Sequence, residues 1–302
     1  MRRREFIGVL GGISWPVAAR AQQPAVPLKM ATLNTGPTSY WPLDDVVGGS
    51  CHDETGLHDA TRTGAGVKLA ALPFGTASTP YFNGEIGSVL TVADDPRYSQ
   101  PYANALTVAA WICPLTLDNA QTGGRIDQYV HFLEKAVSST KEVEWAMRLY
   151  NRTNPNRHSR LSFYTFKLVS PPGEGNGAYM EYGVSANDVT SVENGGWLFL
   201  VGQAEPWISD GDLTTGCVLW KQGVQAVRSP ADKYKHYNVH PRHGSGPISI
   251  GGTNSSGFKG SIAHVAIWNR LLSHAEIASI WTAGQAELRN TPKYHNAPRR
   301  AH

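Results

Sequence analysis

The chain has 302 residues and a formal net charge of +3 at pH 7, with its lysine and arginine residues scattered along it. A charge so small and dispersed argues against a nucleic-acid partner, and no apolar run reaches the roughly 18 residues of a membrane-spanning helix. Gly, Thr, Ser, Val, Tyr and Trp are plentiful, and turn residues recur at intervals of about eight to twelve positions. The composition therefore favours an all-β protein.

Residues 1–21 have the pattern of a bacterial export signal. A basic start precedes a short apolar centre from Phe6 to Val17, and Ala19-Arg20-Ala21 is a small-x-small cleavage site. The start resembles a twin-arginine signal, because a pair of arginines is followed, after one residue, by Phe-Ile. An ordinary secretory signal with an extra arginine is the alternative. Both predict a periplasmic or secreted protein, with residues 22–28 as a linker before the folded domain.

Three widely spaced cysteines, Cys51, Cys113 and Cys217, cannot make a disulfide framework. At most one bridge can form in an exported protein, and we expect the odd thiol to be buried. The spacing matches no zinc-binding pattern.

The rest of the chain predicts a continuous series of strands. The near-continuous apolar run NALTVAAWICPL is typical of a central strand covered on both faces. Asn83-Gly84 predicts a turn between two strands, and Gln222-Gly223 predicts a hairpin. Roughly a dozen strands without a repeat or an internal linker fit one two-sheet sandwich better than two domains. Further strand candidates are TSYWPLDD, QYVHFLEKAV, VEWAMRLYN, SRLSFYTFK, AYMEYGVSA, GWLFLVGQAEPW and GPISIGGTNSSGFKGSIAHVAIWN.

The stretch GFKGSIAHVAIWNRLLSHAEIASIW changes its period within a few residues. In its first half the apolar residues alternate, as in a strand with a buried face. Ser273 and Glu276 then form a capping box, and Leu272 and Ile277 have the spacing of a hydrophobic staple. These signals predict a short helix with Gly284 as its stop. The helix must pack on the sheet, because isolated helices of this length are marginal in water.

Five stretches, in the order YWPLDD, DETGLHD, YFNGEIGSVLTV, LTVAAWICP and GSIAHVAIWNRLLSHAEI, resemble the concanavalin A-like lectin/glucanase superfamily and specifically its laminin G-like jelly rolls. The resemblance covers residues 29–288 and leaves residues 289–302 as a flexible tail. It implies an all-β, two-sheet antiparallel jelly-roll sandwich. It also implies that the last strand lies beside the first and that a short helical segment follows it.

Relatives with this fold include polysaccharide hydrolases that use two carboxylates on one strand. A retaining pair has its carboxyl groups about 5 Å apart, which requires acidic residues at alternating positions. Glu142 and Glu144 in EVEWAMR have that spacing, but Ala146, Met147 and Arg148 stand where a third acidic residue of the hydrolase motif belongs. We therefore expect a non-catalytic protein, and a hydrolase or lyase of the same fold is the alternative.

The resemblance also suggests a structural calcium ion as cofactor. Many relatives hold one Ca²⁺ between an early acidic loop and the final strand, with carboxylate and carbonyl oxygens as ligands. Asp44, Asp45 and Asp53 occupy that loop, whereas Ala263 and His264 stand where family members often have an acidic residue.

Sugar binding requires aromatic rings against the apolar side of a pyranose and polar groups near its hydroxyls. The candidate ligand contacts are Trp145, Arg148, Tyr164, Trp207 and Trp220. Core or rim packing is the alternative for each of them.

The leading hypothesis is an exported, non-catalytic module that recognises a glycan or glycoprotein on the concave sheet or rim loops. A protein-binding adhesion domain is a further alternative, because laminin G-like domains serve that role as well.

Overall fold

The computed structural model describes most of the chain after the predicted signal. The described residues are 26–45, 49–100, 104–121, 123, 128–137, 142–168, 175–181, 196–209, 212–228, 239, 243–253 and 255–289. The predicted signal of residues 1–21 and nearly all of the predicted 289–302 tail lie outside them.

Within these ranges the chain forms eighteen strands, two α-helices and one short 3-10 turn at Pro96–Tyr98. The helices are α1 (Leu28–Leu33) and α2 (His274–Arg289), and neither has the length and apolar character to cross a membrane. The strands are β1 (Ser39–Trp41), β2 (Ser50–Cys51), β3 (Ala60–Thr63), β4 (Val67–Phe74), β5 (Ala77–Asn83), β6 (Val89–Val92), β7 (Leu106–Pro114), β8 (Ala120–Gln121), β9 (Tyr129–Val137), β10 (Glu142–Tyr150), β11 (Arg160–Phe166), β12 (Gly175–Glu181), β13 (Leu198–Ser209), β14 (Asp212–Lys221), β15 (Val224–Arg228), β16 (Ile248–Ile250), β17 (Ser256–Gly257) and β18 (Lys259–Trp268).

Two antiparallel sheets pack face to face. In the first sheet the strand order is β15-β14-β13-β7-β18-β5-β4, and β1 also pairs with β18. In the second sheet the order is β12-β11-β10-β9-β16-β6-β3-β2, while β17 and β8 form a separate pair. Tyr40 of β1 lies opposite Ala266 of β18. The predicted two-sheet sandwich, with its last long strand beside its first, is therefore confirmed.

The main core lies between the sheets, and β7 shows why a central strand is apolar throughout. Val108, Ala110 and Ile112 point into this core. Ala109 and Trp111 point the other way, into a second apolar layer. Both faces of β7 are therefore covered, as the sequence predicts.

Helices α1 and α2 form the second apolar layer on the outer face of the first sheet. The capping box at the start of α2 is confirmed, because the Ser273 N–H donates to Glu276 Oε2 at 2.8 Å and the Glu276 N–H donates to Ser273 Oγ at 3.3 Å. The helix does not stop at Gly284 but continues to Arg289. A Cβ atom at Gly284 would lie 2.1 Å from Trp111 Cζ2. The glycine therefore allows the helix to approach the indole ring, and the prediction that it ends the helix is wrong.

Helix α1 is not signalled by the sequence, because it has only six residues and no side-chain cap at its start. It is held by the C-terminal helix: the Leu28 N–H donates to Glu287 Oε1 at 2.6 Å. Leu28 and Ala31 are buried in the second apolar layer. The packed structure therefore includes Leu28, although the sequence predicts that this residue lies in the linker.

All three cysteines are buried and unpaired. Burial raises the pKa of each thiol to about 12. The one bridge that the sequence allowed is not formed, and the protonated thiols act as small apolar side chains.

Two predicted turns are present, with different roles. Gln222 and Gly223 have φ angles of 54° and 75°, as a two-residue hairpin turn between β14 and β15 requires. Gly84, with φ 89°, follows β5 of the first sheet and precedes β6 of the second. That turn carries the chain from one sheet to the other instead of closing a hairpin.

Candidate functional site

The outer face of the second sheet carries a concentration of charged and aromatic side chains. On β10, Met147 and Leu149 belong to the core between the sheets. Arg148 and Tyr150 alternate with them and therefore point to the outer face. Both described helices pack on the first sheet, so neither covers this region. The group that we call the Arg148 cluster consists of Tyr129, His131 and Glu134 on β9, Arg148 and Tyr150 on β10, and Tyr164 and Phe166 on β11.

The Arg148 guanidinium lies against three aromatic rings. Its Cζ atom is 4.6 Å from the ring centroid of Tyr129, 4.8 Å from that of Tyr164 and 4.7 Å from that of Phe166. Arg148 is only 7% exposed. Cation–π contacts with a desolvated cation stabilise it by about 2 kcal/mol or more. The aromatic cage therefore compensates in part for removing this charge from water.

A hydrogen-bonded chain fixes the orientation of Arg148. Its Nε donates to His131 Nε2 at 2.7 Å, so the ring proton of His131 is assigned to Nδ1, which donates to Glu134 Oε2. Burial, with the nearby charge of Arg148, lowers the pKa of His131 against the opposing effect of Glu134. His131 is therefore neutral near pH 7 and can accept the Arg148 hydrogen bond.

Two guanidinium groups meet at the Tyr150 hydroxyl. Arg148 Nη1 lies 3.4 Å from this oxygen and Arg157 Nη1 lies 3.0 Å from it. Burial acts to raise the pKa of Tyr150, but the two positive charges outweigh burial and lower the pKa below its ordinary value. A potential that favours phenolate would also favour a bound anion, so this part of the cluster is electropositive.

Glycines in β12 let the aromatic rings of β11 lie on the sheet. A Cβ atom at Gly177 would lie 2.4 Å from Tyr164 Cγ, and one at Gly175 would lie 2.5 Å from Phe166 Cδ1. The Tyr164 and Phe166 rings stack with 5.8 Å between their centroids. Tyr164 stays half-buried, so part of its ring is accessible from outside.

Of the predicted sugar contacts, Arg148 and Tyr164 lie together in this cluster. Trp145 lies in the core between the sheets, where its Nε1 donates to the Tyr98 carbonyl at 2.8 Å. Trp220 lies in the helix-covered layer of the first sheet, and its Nε1 donates to Gln203 Oε1 at 2.7 Å. Neither indole is available to a ligand on the outer face of the second sheet, so we do not retain them as contacts. Trp207 belongs to β13, but its side chain lies outside the described part of the chain.

Glu144 is held in a structural ion pair. A register shift between Val143 and Trp145 leaves Glu144 without a partner on β9 and marks a bulge in β10, so the simple alternation with Glu142 is interrupted. Its Oε1 accepts from Lys135 Nζ, which also donates to Asp94 Oδ1 at 2.6 Å. Burial raises the pKa of Glu144 and the charge of Lys135 opposes the shift. The arrangement therefore gives no support to Glu142 and Glu144 as a catalytic carboxylate pair.

Asp53 organises the early acidic loop from within. Its buried carboxylate accepts three hydrogen bonds at Oδ1, from the Tyr40 N–H (3.0 Å), the Thr55 N–H (3.0 Å) and the Thr55 hydroxyl (2.9 Å). Oδ2 accepts from the backbone N–H groups of Leu57 and His58, both at 3.2 Å. Donors that surround both oxygens in this way do not leave a position for a cation.

The other members of the predicted calcium site do not complete a ligand set. The Asp45 carboxylate accepts the His52 N–H, at 3.2 Å from Oδ2. Burial, with the charge of Asp45, raises the pKa of Asp44. On the final strand, His264 is buried and its Nδ1 is hydrogen-bonded to the Tyr40 hydroxyl at 2.6 Å. Among the described residues no three His, Cys, Asp or Glu side chains are grouped to hold a metal ion. Calcium binding by Asp44, Asp45 and Asp53 therefore stays a prediction, which the hydrogen bonds of Asp53 do not favour.

Sequence reasoning missed the contribution of β9 to the site. Tyr129 and His131 alternate with the apolar Val130 and Phe132, which is the signal that places the first two on the outer face. The register that brings His131 opposite Arg148 follows a bulge, so the pairing itself has no signature in a single sequence.

Comparisons with known proteins agree with this architecture. The Laminin_G_3 family model, described as the concanavalin A-like lectin/glucanases superfamily, matches residues 83–278. A search of curated proteins found no matching sequence.

Several solved structures share the fold at low identity. The botulinum neurotoxin type G receptor binding domain has a TM-score of 0.53 and 13% identity, covering 82% of this chain and 51% of that chain. The botulinum neurotoxin serotype D binding domain has a TM-score of 0.53 and 13% identity, with coverages of 85% and 52%. The binding domain of Paraclostridial Mosquitocidal Protein 1 has a TM-score of 0.52 and 12% identity, with coverages of 80% and 51%.

This chain spans about half the length of those solved chains, and such identities establish a shared fold alone. The family model, in contrast, matches more than half of the present sequence, and the jelly-roll-like sandwich agrees with it. The chain therefore belongs to the concanavalin A-like lectin/glucanase superfamily.

Proposed function

We propose that the protein is a non-catalytic binding module that recognises a glycan or glycoprotein through the outer face of its second sheet. The observation that carries this proposal is the Arg148 cluster, in which partly accessible tyrosine rings flank an oriented guanidinium. A pyranose offers an apolar face to aromatic rings and hydroxyls to polar groups. The cluster has both kinds of partner within one small area.

Tyr129 and Tyr164 supply the aromatic part of this surface. Both are half-buried, and both rings lie within 5 Å of the same guanidinium carbon. The Tyr129 ring also stacks on His131, with 5.2 Å between the centroids. Rings fixed by such contacts lose little conformational entropy when a ligand binds, which favours affinity.

Export is part of the proposal and rests on the sequence of residues 1–21. Cleavage after Ala21 would leave helix α1 intact, since α1 begins at Leu28. Replacing both arginines of the Arg3-Arg4 pair with lysine should retain the protein in the cytoplasm if the twin-arginine route is used. Export of that variant at the wild-type level would favour the ordinary secretory signal.

A glycan array tests the binding function. The purified protein should bind a subset of glycans, and Tyr164→Ala should weaken that binding about tenfold, the effect of losing one ring contact of about 1.4 kcal/mol. Tyr81→Ala is the matched control, because Tyr81 is also half-buried but lies on β5 of the first sheet. Equal losses in the two variants would argue against the outer face of the second sheet.

The two alternative functions, a protein-binding adhesion domain and a polysaccharide hydrolase or lyase, predict different experimental results. If no glycan binds and a cell-surface protein is captured instead, the adhesion alternative is favoured. If the protein degrades a polysaccharide and Glu142→Gln or Glu144→Gln abolishes the activity, the hydrolase alternative replaces the binding module.

A further inference from the structure

The Arg148 guanidinium has more hydrogen-bond donors than the structure uses. An arginine side chain carries five N–H donors. Nε donates to His131, and Nη1 lies 3.4 Å from the Tyr150 hydroxyl. No acceptor among the described residues lies within hydrogen-bonding distance of Nη2. Nη2 is not among the described side-chain atoms that are both fully buried and unpaired, so this edge of the guanidinium is open to the surface and can receive an acceptor from a ligand.

The charge of Arg148 is unbalanced as well. Lys135, on the neighbouring strand, is also buried, and it has ion pairs with Asp94 and Glu144. Arg148 has no such partner among the described carboxylates, because Glu134 reaches it only through the neutral ring of His131. Buried charges are normally paired, and the contrast between these two buried cations singles out Arg148.

We infer that Arg148 is the anchor for the carboxylate of an acidic sugar residue, a uronate, within the glycan ligand. This inference rests on the proposed glycan-binding function and specifies its ligand. A guanidinium binds a carboxylate through two parallel N–H···O bonds. Because Nε is occupied by His131, the carboxylate uses the edge formed by Nη1 and Nη2. The rings of Tyr129 and Tyr164, which lie within 5 Å of the guanidinium carbon, pack against the pyranose that carries the carboxylate.

His131 acts as a positioning residue in this arrangement. It holds the plane of the Arg148 guanidinium through Nε and leaves the opposite edge free. Glu134 fixes the tautomer of His131 and adds no direct ion pair that would compete with the ligand. The hydrogen bonds from Arg148 to His131 and from His131 to Glu134 therefore orient the guanidinium so that Nη1 and Nη2 can donate to a planar anion.

The test is calorimetric titration with matched saccharides. The carboxylate probes are oligomers of galacturonate, of mannuronate and guluronate, and of a glucuronate-containing polymer. The methyl ester of each probe keeps the backbone and removes the charge. A sulfated galactan oligomer distinguishes sulfate, which has the same oxyanion chemistry, from carboxylate. We expect at least one uronate oligomer to bind, and its methyl ester to bind on the order of tenfold to a hundredfold more weakly.

Variants assign the effect to Arg148. Arg148→Gln should weaken uronate binding to the level of the ester, and Arg148→Lys should restore only part of it, because lysine keeps the charge and lacks the fork. Arg160→Gln is the control: Arg160 is also in the second sheet, on β11, but its guanidinium lies over Tyr179. It should leave uronate binding within about twofold. If Arg148→Gln does not fold, Arg148→Lys and the ester comparison still decide the question.

The outcomes separate this inference from the proposed function. Binding of neutral glycans that Tyr164→Ala weakens and Arg148→Gln leaves unchanged would overturn the carboxylate anchor and leave the glycan-binding module in place. Tighter binding of the sulfated oligomer than of every uronate would overturn the choice of carboxylate. Absence of binding to every saccharide, charged or neutral, would overturn both proposals together.

Discussion

The two sheets use their outer faces in opposite ways. On the first sheet, Trp111 stacks against Phe199 with 4.9 Å between centroids and against Trp281 with 5.3 Å, under helix α2. On the second sheet, Arg148 lies among three rings and has no ion pair with any carboxylate in the described part of the chain. One outer face therefore contributes stability through close packing. The other keeps a charge that is not optimised for stability, as is common where function determines the residue.

The largest effect is expected on the helix-covered face. Trp111→Ala should lower the free energy of unfolding by about 3 to 5 kcal/mol, because the loss of a large buried ring leaves a cavity under helix α2. Denaturant unfolding would measure this loss. Trp281→Ala is the control, since Trp281 stacks on the same ring but is only half-buried, and its loss should be smaller. An equal or larger loss for Trp281→Ala would contradict the role given to Trp111.

The next effect concerns the loop that ties the two sheets together. Asp53→Ala should cost about 3 kcal/mol, because four N–H groups in buried or partly buried contacts and one hydroxyl lose a charged acceptor. Asp45→Ala should cost less than about 1 kcal/mol, because the one described donor to that carboxylate is the His52 N–H, near the surface. Thermal melts of both variants, and of the wild type with and without Ca²⁺, measure this. A wild-type melting temperature that rises with Ca²⁺ and falls with chelator would show that the loop does hold the cation.

A pH dependence of intermediate size is expected from His264 in the first sheet. Burial, with the charge of Lys29, lowers the pKa of His264 to about 3, whereas its pKa in the unfolded chain is about 6.5. Below pH 6.5 the unfolded state binds a proton that the folded state does not bind. The stability is therefore complete above pH 6.5 and declines as the pH falls towards 3. The loss at pH 5 should be about 2 kcal/mol.

The variant His264→Asn isolates this contribution. His264 has a φ angle of 49°, a conformation that asparagine tolerates well, and asparagine does not titrate. Unfolding free energies measured from pH 7.5 to pH 5 should fall less steeply for the variant than for the wild type. His131 on the second sheet acts in the same direction, because its pKa is also lowered, so some slope remains. Identical slopes for the two proteins would remove His264 as a source of acid sensitivity.

The sequence predicts the strands and the C-terminal helix better than it predicts the Arg148 cluster on the outer face of the second sheet. The alternation in β18, the capping box at Ser273 and the apolar run of β7 are local signals, and each one leads to the observed element. Gly284 was misread because its role depends on Trp111, about 170 positions earlier in the chain. Glycine is favoured both at the end of a helix and at a position where a helix packs closely on a distant side chain. The sequence alone does not distinguish these two causes at Gly284.

The Arg148 cluster could be predicted only in part for a similar reason. Arg148 and Tyr164 were identified from their types and from adjacent strands. The prediction that Trp145 lies on the ligand surface fails, because its neighbours in the sequence do not reveal which face of β10 it occupies. The bulge around Glu144 shifts the register against β9, and the pairing of Glu144 with Lys135 depends on that shift. Bulges and cross-strand partners are set by tertiary packing, and a single sequence carries no direct record of them.

The smallest effect on stability is expected at Arg148 itself, and it is the sharpest test of the difference between the two faces. Arg148→Met keeps an unbranched side chain among the three rings and removes a buried charge that no described carboxylate pairs with. Replacing such a charge with an apolar side chain is often neutral or stabilising, while His131 loses one donor. We therefore expect the free energy of unfolding to stay within about 1 kcal/mol of the wild type.

Lys135→Met is the matched control and should cost about 3 kcal/mol or more, because it leaves the carboxylates of Asp94 and Glu144 without their cation. If Arg148→Met proved as costly as Lys135→Met, Arg148 would be a structural residue, and the second sheet would use its outer face for stability just as the first sheet does.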